Sequence, residues 1–185
     1  MHQSRAKTNK RIPIRRKGTQ YVARALNDSK NGVPVLIALR DMLGLARTTK
    51  EVKEEINRKQ IKLNGKVVND KRQSIRLFNI FEADKKYRLT LLPTGRFTFE
   101  ETKDNFRLCK ITKKVIVKNG KIQLTMHDGT NIIDSGKNAV WDTIEIGLDG
   151  KVGKSLQFKK GAEFMAIKGK NVGIKGKVEE VLEKT

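Results

Sequence analysis

Leu45 to Val67 reads LARTTKEVKEEINRKQIKLNGKV, and its parts come in a fixed order. Arg47-Thr48-Thr49-Lys50 is a basic, hydroxyl-rich lead-in to a short helix. Thr48 supplies an N-cap, and Glu51 three residues on completes a capping box. Val52 and Ile56 lie four apart and define one apolar face. Ile61 and Leu63 then alternate with Lys62 and Asn64, so the period changes from helical to strand-like. Asn64-Gly65 predicts a type I′ hairpin turn, which needs positive φ at both central residues. Arg47, Lys50, Lys53, Arg58, Lys59, Lys62 and Lys66 surround this small unit. Helix-start amides, the Thr48 and Thr49 hydroxyls, the Asn64-Gly65 turn and these cations suit phosphate oxygens. Charge alone favours a plainer reading, a helix and hairpin with solvated lysines. The order of the parts tips the balance toward a phosphate-binding surface.

The stretch from Arg47 to Val67 resembles the αL-type RNA-binding motif called the S-four domain. In that family two helices and the following strand-turn form the RNA-facing surface, so the resemblance implies the same surface here.

The whole chain points the same way. Its 185 residues carry 41 Lys and Arg against 20 Asp and Glu, a formal charge of +21. A charge so one-sided is self-repulsive. A polyanionic partner explains it, since binding phosphates releases condensed counterions. No apolar run approaches a membrane span, and no signal-peptide core is present, so no membrane partner is expected. Cys109 is the one cysteine and has no internal partner. It is expected to be a small core hydrophobe in a reducing, cytoplasmic compartment. No Cys or His spacing resembles a metal site, and no Walker loop or dinucleotide fingerprint appears. No cofactor and no small-molecule substrate are expected. His127-Asp128 lies near Cys109 in sequence, but nothing supplies a low thiol pKa or an oxyanion site. The chain reads as a non-enzyme.

Residues 1–32 form a basic arm with nine cations and one acid, Asp28. Lys7, Lys10, Arg11, Arg15, Arg16 and Lys17 are its candidate RNA contacts. The arm lacks a sustained period and is expected to be disordered in isolation and to order along RNA. Residues 33–46, VPVLIALRDMLGLA, predict the first helix. Pro34 falls in the first turn, Val35, Leu36, Leu39, Met42 and Leu43 face the core, and Gly44 takes the C′ position. Residues 33–84 make up the S-four-type domain, which ends in an apolar strand at Leu77-Phe78-Asn79-Ile80-Phe81. From residue 85 short strands follow, with turns roughly every ten residues, among them Asn119-Gly120 and His127-Asp128-Gly129. That spacing predicts a small barrel or sandwich over residues 85–158, with Trp141, Ile144 and Ile146 continuing the strand pattern. Whether this β-part is one barrel or two stays open. In residues 159–185, Gly169, Gly173 and Gly176 sit beside alternating apolar residues and the cations Lys168, Lys170 and Lys175. Glycine turns in an edge hairpin account for this pattern. It also resembles a KOW motif, an SH3-like element whose glycines allow close backbone approach to RNA or a partner.

At whole-chain scale the order of arm, S-four domain, β-domain and KOW-like end resembles the archaeal–eukaryotic small-subunit ribosomal protein four, the S-four-e family. PIRRKGTQYVAR at 13–24, VPVLIALRDMLGLA at 33–46, FRLCKI at 106–111 and GKIQLTMHDGTNI at 120–132 carry the resemblance. His127-Asp128-Gly129 is its most telling part, because local strand propensity asks for no histidine there. The resemblance implies an α+β chain that binds small-subunit ribosomal RNA beside neighbouring ribosomal proteins in the cytoplasmic ribosome. A free regulatory or RNA-chaperone module is the competing function. The family has more residues in its arm and continues well past its KOW motif, whereas this chain stops at Thr185.

Overall fold

The sheet that holds the Asn64-Gly65 turn builds the first part of the chain. The computed structural model describes residues 2–117, 120–134 and 136–181. The chain divides into two units, Met1–Lys103 and Asp104–Thr185. The fold is α+β, mostly strand, with three short helical segments among the described residues of the first unit, a 3-10 turn at Arg5–Lys7 and the two helices named below.

In the first unit β1 (His2–Ser4) pairs antiparallel with β2 (Tyr21–Ala23). β3 (Val33–Pro34) leads into α1 (Val35–Ile37), which continues as a π-helical turn over Ala38–Met42. α2 (Thr49–Asn57) follows, then β4 (Lys62–Leu63), β5 (Lys66–Val67), β6 (Ser74–Ile75), β7 (Ile80–Glu82), β8 (Lys86–Leu91) and β9 (Phe97–Glu101). β3 pairs with β6, and a five-stranded antiparallel sheet runs in the order β5-β4-β7-β8-β9. Val35, Ile37, Ala38 and Leu39 are fully buried with Val52, Ile61, Ile80, Phe81 and Leu89. A helix apolar on every face is a core helix. Val52 and Ile56 do form the buried face of α2.

The structure departs from the sequence reading at three points. Pro34 is not in the first helical turn: it bridges Ser74 in a strand pair, and the helix starts at Val35. The strand expected at Leu77 begins at Ile80, because Phe78 has φ +63, outside the extended region. The arm is folded back rather than without structure. Ile12, Val22 and Ala25 are buried, the Arg11 carbonyl accepts the Phe97 amide at 2.8 Å, and the Leu26 amide donates to the Arg72 carbonyl at 2.8 Å. The few apolar residues that break up the arm's charge supply this docking. Gly44 does adopt a left-handed φ of +69, and the Leu45 amide beyond it donates to the Leu39 carbonyl.

The second unit is built on β10 (Phe106–Ile116), followed by β11 (Ile122–Met126), β12 (Asn131–Asp134), β13 (Thr143–Gly147) and β14 (Val152–Leu156). These form one antiparallel sheet in the order β12-β11-β10-β13-β14. β10 serves two ladders: Phe106–Lys110 pairs with β13, and Ile111–Ile116 pairs with β11. A register shift between Ile111 and Lys113 marks the hand-over, and such a bulge bends the strand and raises its twist. Cys109, Ile111, Leu124, Met126, Ile144 and Ile146 form the core on one face. β15 (Glu163–Met165) and β16 (Lys175–Lys177) make a separate hairpin. Asn119 of the expected Asn119-Gly120 turn and the chain end at Thr185 lie outside the described residues.

Candidate nucleic-acid interface

The start of α2 is closed by a capping box. The Glu51 amide donates to Thr48 Oγ1 at 3.2 Å, and the Thr48 hydroxyl donates to Glu51 Oε1 at 3.0 Å. Glu51 Oε2 accepts the Arg47 amide at 2.7 Å, one residue before the cap. The Arg47 amide, followed by the Thr48 hydroxyl, holds the Glu51 carboxyl below its usual pKa. The protein's own carboxylate therefore occupies part of the helix-start donor set. The positions left for an external anion are the first-turn amides of Thr49 and Lys50 with the Arg47, Lys50 and Lys53 side chains.

The helix ends in a Schellman motif. Lys59 holds φ +58 at C′, its amide donates to the Ile56 carbonyl at 2.9 Å, and the Gln60 amide reaches the Glu55 carbonyl at 3.4 Å. This stop turns the chain at once into β4. Asn64 and Gly65 then take φ +52 and +78, the type I′ pair, with Lys62 opposite Val67 and Leu63 opposite Lys66. Asn64 also stitches the turn to β7. Its amide donates to the Ile80 carbonyl at 2.8 Å, and its Oδ1 accepts the Ile80 amide at 3.0 Å. Asn64 Oδ1 is thereby engaged inside the protein. Leu63 is buried, and Lys62 on the opposite face of the strand is exposed.

Arg47, Lys50, Lys53, Arg58, Lys59, Lys62 and Lys66 are all exposed, and none enters an ion pair among the described residues. Among the described residues of the first unit, the acids that form pairs are engaged elsewhere: Asp28 with Arg76, Asp41 with Arg40, Asp70 with Arg72, Glu101 with Lys85.

In the arm, Lys7, Lys10, Arg15, Arg16 and Lys17 are exposed and Arg11 is partly so. Arg5, which sequence reasoning passed over, organises them. Its Nε donates to the Thr19 carbonyl at 2.8 Å, Nη2 reaches Thr19 Oγ1 at 3.2 Å, and Nη1 takes the Arg15 carbonyl. Gly18 passes so close that a Cβ there would sit 2.8 Å from Arg5 Nη2. No sequence period announces such a clamp, because its main acceptors are backbone carbonyls.

In the second unit, Lys168 and Lys170 lie exposed at the tip of the β15–β16 hairpin, and Lys175 lies exposed on β16. Gly169 and Gly173 have φ of +91 and +85, and Gly176 faces Phe164, whose ring lies 3.2 Å from where a Cβ would stand.

His127-Asp128-Gly129 is a pin in the sheet. His127 Nδ1 accepts the Lys110 amide at 3.1 Å, and its own amide donates to the Lys110 carbonyl at 2.9 Å. Asp128 Oδ2 lies 3.0 Å from Arg107 Nη1, and Oδ1 accepts the Thr130 amide at 2.9 Å. Burial alone would raise the Asp128 pKa, but the Arg107 charge and the Thr130 hydrogen bonds outweigh it and the carboxyl is lowered. Burial, then the Asp128 charge, pushes the Cys109 thiol up to about 12. A thiol so reluctant to ionise is no nucleophile. The described residues hold no cluster of His, Cys, Asp and Glu able to bind a metal ion.

Trp141 was expected within a strand. It stands instead just before β13, 59% exposed, with φ +83 and with Lys110 Nζ 4.0 Å from its ring centroid. The run of turn-forming residues before it, Gly136 to Asn138, was the available signal.

A family model described as Ribosomal family S4e matches residues 83–152. The chain is 32% identical over 185 residues to small ribosomal subunit protein eS4 of Archaeoglobus fulgidus, covering 96% of this chain and 79% of that protein. It is 29% identical to the Methanocella arvoryzae protein of the same name, covering 97% and 80%. The crystal structure of the 30S ribosomal protein S4e from Thermoplasma acidophilum superposes with a TM-score of 0.74 at 23% identity, covering 84% of each chain.

Proposed function

From the premise that this chain belongs to the ribosomal S4e family, we propose that it is a structural constituent of the small ribosomal subunit that binds and stabilises its ribosomal RNA. It is not an enzyme. Its partners are small-subunit RNA and neighbouring ribosomal proteins, and its place is the cytoplasmic ribosome.

The observation that carries this reading is the set of exposed, unpaired cations on α2 and the β4–β5 hairpin. Their positions are fixed by a capped helix start, a Schellman stop and a type I′ turn. A rigid array of cations, poor in exposed aromatics, suits backbone phosphates rather than base edges. The arm, residues 1–32, adds Lys7, Lys10, Arg11, Arg15, Arg16 and Lys17 along the same RNA. Residues 33–84 act as the S-four-type domain; of the β-rich part, residues 85–158, β8 and β9 extend that domain's sheet and the strands from β10 on form the sheet of the second unit; residues 159–185 act as a KOW-like element presenting Lys168, Lys170 and Lys175.

Sedimentation tests it. The chain should stay with small subunits through a high-salt cushion. Release at moderate salt would favour a free RNA-chaperone or regulatory module, and absence from the subunit at low salt would overturn the assignment.

A further inference from the structure

Resting on the RNA-binding reading, and going beyond its phosphate contacts, we propose that Trp141 is a stacking platform for one unpaired RNA base, with Lys110 receiving the adjoining phosphate. Trp141 is the single tryptophan of the chain. It lies more than half exposed, outside the core that the neighbouring Ile144 and Ile146 fill.

Its backbone is left-handed at φ +83, a region that bulky side chains avoid. Strain of this kind persists only where the surroundings over-determine it. They do so here. The Trp141 amide donates to the Ile111 carbonyl at 3.1 Å, and the Ile111 amide donates to the Asp142 carbonyl at 2.8 Å, at the hand-over between the two ladders of β10. The buried Asp142 side chain accepts the Ala139 amide at 2.9 Å and the Phe158 amide at 3.0 Å. A loop fixed on both sides thus holds an indole out to solvent at a conformational cost, which core packing does not explain.

The surroundings of the ring select the occupant. Lys110 lies over it at 4.0 Å. Burial first, and then the Lys168 charge, lowers the Lys110 pKa, so a second cation acts on the ammonium above the ring. An anion beside Lys110 would relieve that repulsion. An aromatic surface with an ammonium over it fits a nucleobase with its phosphate, because every base has a π-face and stacking tolerates any sequence. An apolar protein surface would bring no anion to Lys110.

The single tryptophan makes the test direct. Intrinsic fluorescence of the full chain is titrated with single-stranded oligoadenylate and, separately, with a blunt RNA duplex of equal phosphate count. The single strand should quench the emission and the duplex should not. Trp141→Ala should weaken single-strand binding roughly five- to a hundredfold, the range for one base stacked on an aromatic ring, with an unchanged salt slope. Trp141→Tyr should restore most of the affinity. Lys110→Ala should lower the single-strand salt slope by about 0.7. Trp141→Gly, which accepts the left-handed backbone, should melt no lower than wild type yet bind as weakly as the alanine variant. Equal single-strand affinity in wild type, Trp141→Ala and Trp141→Gly, or no quenching at saturation, would overturn the stacking site while leaving RNA binding intact. A wild-type chain that binds neither RNA would overturn the RNA-binding function as well.

Discussion

Arg107 and Asp128 form an ion pair at 3.0 Å with the Asp128 side chain only 1% exposed. The same carboxylate accepts the Thr130 amide and lies 3.7 Å from the Cys109 sulfur. The Arg107 guanidinium also reaches Thr130 Oγ1 at 3.1 Å. One pair thus ties β10 to the turn between β11 and β12.

Asp128→Ala leaves Arg107 largely buried without this carboxylate and should destabilise the chain by about 3–5 kcal/mol. The pair also has a pH signature. The folded Asp128 pKa lies below the unfolded value, so its stabilisation is present above the unfolded carboxylate pKa of about 3.9 and is lost as pH falls through the folded value. Thermal melts of wild type and Asp128→Asn through the acid range check this. The wild-type curve should fall more steeply, and parallel curves would remove the pair from the stability account.

Cys109 should resist alkylation in the folded protein. Its pKa, raised to about 12, keeps it a thiol at neutral pH. Iodoacetamide should label it only after unfolding, even at pH 9. The raised pKa means that the neutral thiol's contribution is complete below the unfolded pKa of about 8.5 and is lost as pH rises toward 12. Rapid native labelling at neutral pH would contradict the burial.

Arg47, Lys50 and Lys53 changed together to Ala should weaken matched and scrambled structured RNA alike. The salt slope should flatten by about 0.9 for each phosphate that is no longer bound. Filter binding across a salt series measures both. A defect confined to one sequence would point to base reading instead.

Lys59 and Gly65 share a left-handed backbone but should respond in opposite ways. Lys59→Gly removes strain at the C′ position of α2 and should stabilise by about 1 kcal/mol while lowering RNA affinity. Gly65→Val puts a β-branched residue at φ +78 and should cost about 1–3 kcal/mol. It should also weaken binding, since the hairpin sets which way Lys62 and Lys66 face. Melts and filter binding on both variants decide it; a Gly65→Val chain that melts and binds like wild type would misplace the hairpin.

Arg5→Ala should free the loop it clamps. Amide exchange at residues 19–21 should rise while the global melt changes little, because among the described residues the Arg5 side chain bonds to arm residues alone. Unchanged protection would show that the β1–β2 pairing alone holds the arm.

The parts legible in the sequence were those whose causes are local. Thr48 and Glu51 are three residues apart, and Asn64-Gly65 carries its own turn chemistry, so α2 and the hairpin could be read directly. The Val33–Pro34 bridge depends on Ser74 and Ile75, far along the chain, and no local pattern announces it. Ile12, Val22 and Ala25 looked too sparse for a core because the surface that covers them comes from other segments. Glu51 was legible as a capping partner, but not as a carboxylate reaching back to the Arg47 amide. Trp141 reads as strand in the sequence because an aromatic beside Ile144 fits the strand pattern, and a single exposed left-handed residue leaves no periodic trace.

The divided loyalty of β10 has a consequence for the chain as it leaves the ribosome. Its second half finds β11 almost at once, because only residues 117–121 lie between them. Its first half, Phe106–Lys110, must wait for β13, which emerges only after β12 and the Trp141 loop are made. At about 5–20 residues per second that wait lasts a few seconds. Throughout it Phe106, Leu108 and Cys109 belong to an unpartnered strand edge, the state most open to wrong pairing. Synthesis of the nascent chain, rather than the finished fold, is therefore where this unit is most vulnerable.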